Sequence, residues 1–129
     1  MKMTKEQMND NLRKTINEIL VETSKVVDKK LKDPQTNSET LLTLTRALET
    51  GLATAQRFDF ITGKCGAILF QETERSLTRT VTNITDIIMA VLVNDDINAD
   101  DLMRFIRMLD LTSMAWKRIY SFGEDNPYC

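Results

Sequence analysis

The segment from Thr4 to Lys32 constrains the fold more than any other part of the chain. Met8, Leu12, Ile16, Ile19, Leu20, Thr23, Val26, Val27 and Leu31 recur there at steps of three and four residues. That spacing gathers them into one stripe along a helix of roughly seven turns. A long helix with one apolar face draws its stability from packing, so it needs partner surfaces in the same small chain. Thr4, followed three residues later by Gln7, forms a capping box that sets the start. Asp33 precedes Pro34 and is pushed out of the α region, which ends the helix near Lys32. The other face is mixed: Glu18, Glu22, Lys25, Asp28, Lys29 and Lys32. Spacings such as Glu22/Lys25 and Asp28/Lys32 suit intrahelical ion pairs on a solvated face.

Three further helices follow. After the polar loop Asp33–Ser38, either Asn37 or Ser38 caps a helix over 38–62. Its stripe is Leu41, Leu44, Leu48, Leu52 and Ala55, and beside it run Ala47, Gly51 and Ala55, one small residue per turn. A mid-helix glycine costs about 1 kcal/mol against alanine, so Gly51 implies close approach of a second helix. The third helix, over 65–93, carries Phe70, Leu77, Val81, Ile84, Ile88 and Val91 on one face and Glu72, Arg75, Arg79, Asn83 and Asp86 on the other. Its crowding of threonine and isoleucine lowers helix propensity, so it depends on a buried partner, for which helix 2 folded back antiparallel is the expectation. Asn98, with Asp101 three residues on, caps a fourth helix over 98–122. Leu102, Phe105, Leu109, Ser113, Trp116 and Tyr120 form its expected core stripe, with Ile106 at the edge.

Between helices 2 and 3 lies Phe58-Asp59-Phe60-Ile61-Thr62-Gly63-Lys64-Cys65-Gly66-Ala67-Ile68-Leu69-Phe70. Gly63 and Gly66 supply permissive backbone positions for an interhelical turn. A short β-hairpin over 58–70 is the alternative, because two apolar runs flank Gly-Lys-Cys-Gly. The fold class expected is all-α: a four-helix antiparallel bundle or a related helical array, one domain over 1–123 with an exposed tail over 124–129.

Composition narrows the chemistry. The 129 residues contain no histidine, which removes Ser-His-Asp and Cys-His nucleophile pairs, histidine metal sites and histidine proton relays. Two cysteines, Cys65 and Cys129, make neither a disulfide framework nor a zinc motif. No cofactor and no metal are expected. Carboxylate neighbours at Glu72/Glu74, Asp95/Asp96 and Asp100/Asp101 read as caps and solvated faces, because adjacent helix positions do not face the same way. No apolar run is long enough to span a membrane, and the N-terminus lacks a signal-peptide core, so a cytoplasmic protein of a bacterial cell or an infected host is expected. Net charge is −2, and neither end is extreme enough to call for nucleic acid or a membrane surface.

Two local sites remain. Gly63, Lys64 and Gly66 could cradle an anion at the start of helix 3, although the Walker spacing is absent; Cys65 beside Lys64 has no partner base. On a wheel of about 100° per residue, Met103, Arg104, Arg107, Leu111, Met114 and Arg118 cluster on the side of helix 4 away from its expected core stripe. Methionine and arginine are enriched at protein interfaces. The function expected is therefore non-enzymatic: a small helical adaptor or regulator that docks on a larger machine, such as a polymerase or a phage or host assembly, or that self-associates. The alternative is a nucleic-acid-associated protein using Lys25, Lys29 and Lys32 of helix 1 with Arg104, Arg107 and Arg118 of helix 4.

Overall fold

Four helices fill the computed structural model, which describes residues 2–62, 71–94, 96 and 98–120: α1 (Lys5–Leu31), α2 (Ser38–Thr62), α3 (Gln71–Leu92) and α4 (Ala99–Tyr120). The described residues contain no strand. Fold class is all-α, as the periodicity predicts. The first half of the hairpin alternative fails, because residues 58–62 are the last turns of α2. Residues 63–70, the start expected for helix 3 and the C-terminal tail lie outside the described residues.

The helix starts are set by side chains at the expected positions. The Thr4 amide donates to Gln7 Oε1 at 2.9 Å and the Gln7 amide to Thr4 Oγ1 at 3.1 Å, completing the capping box. For α2 the cap is Asn37, whose Oδ1 accepts from the Thr40 amide at 2.8 Å. Asn98 Oδ1 accepts from the amides of Asp100 and Asp101, at 3.0 and 3.1 Å. The threonines keep helical geometry by donating back along their own helices. Thr45 bonds the Leu41 carbonyl and Thr112 that of Met108, each at 2.8 Å. A hydroxyl satisfied in this way can be buried, and both of these side chains are.

The helices form a ring in which α1 touches α2 and α3, and α4 touches α2 and α3. Helices α2 and α3, consecutive in the chain, therefore sit diagonally opposite each other, as do α1 and α4. This corrects the expectation that helix 3 folds back on helix 2: its partners are α1 and α4. Contacts at two levels fix the directions. Arg13 lies by Asp59 and Thr62, and Leu20 by Gly51, so α1 and α2 are antiparallel. Ser38 lies by Asp101, and Gln56 by Arg118, so α2 and α4 are parallel neighbours.

The core runs down the middle of the ring through Leu20, Val27, Leu48, Leu52, Leu77, Ile84 and Met108. At Gly51 α1 and α2 meet closely: a Cβ built there would lie 2.9 Å from Leu20 Cδ2. That contact is the packing reason the mid-helix glycine implies. Helix α4 departs from expectation. Its fully buried residues are Met108, Thr112 and Ala115, while Ser113 and Trp116, expected inside, are exposed. The buried stripe is thus turned by about one residue, or 100°, around the helix. At the α2 seam, arginines near both ends of α4 reach α2.

Candidate functional site

The six residues Met103, Arg104, Leu111, Arg107, Met114 and Arg118 do not form one surface. Rotation of α4 divides them. Arg118 turns inward to α2, where its Nε bonds the Glu49 carboxylate and its Nη1 donates to Gln56 Oε1 at 2.8 Å. Gln56, itself fully buried, donates from Nε2 to the Arg118 carbonyl at 3.2 Å. Two turns of α4 and α2 are clamped by this reciprocal pair. Near the other end Arg104 donates to Glu39 Oε1 at 3.1 Å, to Ser38 Oγ at 3.2 Å and to Asp101 Oδ1 at 3.3 Å. Ser38 Oγ in turn donates to Asp101 at 2.5 Å. Both arginines thus hold α4 to α2, and Leu111 packs against the core beside them.

Met103, Arg107 and Met114 stay on the outer side of α4, with Met103 58% and Met114 43% exposed. Ile106, placed by its sequence spacing at the edge of the core, joins them on that side, as does Asp110. The outer face therefore reads Met103, Ile106, Arg107, Asp110 and Met114. Sequence spacing found three of these residues. It missed Ile106 because an isoleucine on an amphipathic helix is assigned to the core by default, and only the rotation of α4 shows otherwise.

A second set of apolar residues lies outside on α1. Leu20, Val27 and Leu31 of its stripe are buried, but Met8, Leu12, Ile19 and Val26 are exposed. The stripe is wider than the neighbouring helices cover. Lys25 and Lys29 are exposed on α1 as well, as is Lys32 just beyond its end. They do not join the α4 arginines, since α1 and α4 are diagonal and Arg104 and Arg118 face α2. Gly63, Lys64 and Gly66, the anion-cradle residues, lie outside the described residues.

Two polar networks are structural in geometry. Arg13 of α1 donates to Asp10 at 2.9 Å and to Thr62 Oγ1 at 3.1 Å, stacks 5.7 Å from the Phe58 ring centroid and lies 3.7 Å from buried Asp59. Asp28 of α1 accepts from Ser76 at 3.1 Å and from Thr80, tying α1 to the start of α3. Among the described residues no cluster of three or more Cys, Asp or Glu could hold a metal ion, and no helix is long and apolar enough to cross a membrane. No protein-family model, curated protein or solved structure matches the chain.

Proposed function

We propose that the protein is a non-enzymatic helical adaptor or regulator that works by protein–protein binding, docking on a larger protein or assembly, or by self-association. The observation that carries this reading is the outer face of α4. Met103, Ile106 and Met114 hold large apolar side chains in solvent, with Arg107 exposed among them. Exposed apolar residues that line up along one helix are a feature of interaction sites, and methionine repacks readily against a partner. Arg107 supplies a charged group that suits the rim of such a contact.

The test uses Met103→Asp, Arg107→Glu and Met114→Asp together, leaving Arg104 and Arg118 in place because they join α4 to α2. Tagged wild-type and triple-variant proteins are compared as baits against the lysate of the native cell. Loss of the captured band by a variant with unchanged far-UV circular dichroism supports the reading. Capture that is equal for both overturns it for this face. Salt-steep binding to mixed nucleic acid, weakened by Lys25→Glu and Lys29→Glu, would favour the nucleic-acid alternative instead.

A further inference from the structure

Two exposed apolar residues on α1, Ile19 and Val26, stand seven residues apart on one line of the helix, 57% and 43% exposed. They line an open apolar hollow with Thr15 and Thr23 and, from α2, Leu44 and Ala47. From α2 only Leu44 and the small Ala47 reach this hollow, and Glu18 and Glu22 of α1 edge it. Beside this line, one flank of α1 carries exposed Glu18, Glu22, Lys25 and Lys29. At about 100° per residue these four charges fall within roughly 60° of one another, next to the Ile19–Val26 line. Their sign reverses along the helix, from two glutamates to two lysines. Glu22 and Lys25 are already 3.5 Å apart across the reversal.

The apolar pair is centred between Glu22 and Thr23, and the charge reversal is centred between Glu22 and Lys25. The two centres agree to about one residue of helix, or ~1.5 Å. We propose that this face of α1 binds a second copy of the chain about a two-fold axis through that point, with the two α1 helices antiparallel. Ile19 of each copy then covers Val26 of the other. Glu18 and Glu22 of each copy face Lys25 and Lys29 of the other. A two-fold interface must be complementary to itself, and a helix flank whose charge reverses about its own midpoint meets that condition only when the copies run antiparallel. A two-fold that runs the helices parallel places the two flanks on opposite sides of the contact, so their glutamates and lysines do not meet. The proposal specifies the self-association part of the function given above and uses a surface separate from the outer face of α4.

Light scattering on the intact chain tests it, with charge swaps as the probe. The expected mass is twice the 14.8 kDa of one chain. Glu18→Lys with Glu22→Lys makes the flank wholly basic, and Lys25→Glu with Lys29→Glu makes it wholly acidic. Each double variant should raise the dimer dissociation constant about tenfold or more while keeping its helix content. An equimolar mixture of the two should recover the double mass, because the basic flank now meets an acidic one. Ile19→Glu should give the single-chain mass. A single-chain mass for the unchanged protein up to the highest soluble concentration overturns the proposal. So does a double mass that neither double variant alters, or a mixture that fails to recover it. Met103→Asp with Met114→Asp serves as the separating control: loss of partner capture with the double mass kept leaves the two surfaces independent. A single-chain mass for the unchanged protein with capture intact sinks the α1 dimer and leaves the α4 reading standing.

Discussion

The seam between α2 and α4 and the outer face of α1 invert the usual division of polar and apolar residues. At the seam, Arg104 and Arg118 point inward and find Glu39, Glu49, Ser38 and Gln56. On α1, Ile19 and Val26 point outward beside glutamates and lysines. The difference teaches that residue type alone does not identify an interaction surface. An arginine that has found its partners inside the chain is part of the scaffold. An isoleucine left in solvent at the edge of a hollow is available to another molecule.

Adjacent positions on α1 give the largest contrast. Leu20, 1% exposed and seated on Gly51, should cost about 2–5 kcal/mol on Leu20→Ala, measured by urea unfolding. Gly51→Ala should change stability little in the native background, where a helix gain of about 1 kcal/mol is offset by crowding of Leu20 Cδ2. The same substitution should be clearly stabilising in the Leu20→Ala background, where the new methyl enters vacated space. Additive effects of the two changes would contradict the close approach.

Next in size is the inner arginine of the seam. Arg118→Ala leaves the Glu49 carboxylate without its guanidinium and the buried Gln56 without an acceptor-side partner. A loss of about 2–3 kcal/mol is expected by urea unfolding. Arg104 should matter less, because Glu39 is largely in solvent: about 0.5–1 kcal/mol on Arg104→Ala, shrinking with added salt. If both cost the same, the difference in burial does not govern the seam. Smallest of all is the outer face of α1. Ile19→Glu should move the stability of a single chain by no more than about 0.5 kcal/mol, measured at concentrations too low for association. A loss comparable to that of Leu20→Ala would show that Ile19 belongs to the core and would remove the contrast between the two regions.

The helices themselves were legible from residue spacing and caps. Thr4/Gln7, Asn37 and Asn98 are local devices, satisfied within four residues of chain, so no knowledge of the fold is needed to read them. Gly51 was legible as a close approach, though not which residue approaches. The candidate site was half legible: Met103, Arg107 and Met114 lie outside as their spacing implied, whereas Arg104 and Arg118 were spent within the chain.

What the residues determined unaided is the element type, the limits of α1 and α2, the start of α4 and the presence of an apolar stripe on each helix, because a 3.6-residue period and a capping side chain act over one or two turns. What only the tertiary structure decided is which helices are neighbours and how each is rotated about its axis. Helix α4 carries apolar residues nearly all round, so its hydrophobic pattern has no single centre. Its orientation is chosen by contacts from far along the chain: Glu39 and Glu49 of α2 reaching its arginines. The diagonal placement of α2 and α3 has the same origin. Asp28 of α1 accepting from Ser76 and Thr80 draws α3 beside α1, and no local pattern in either helix records that pairing.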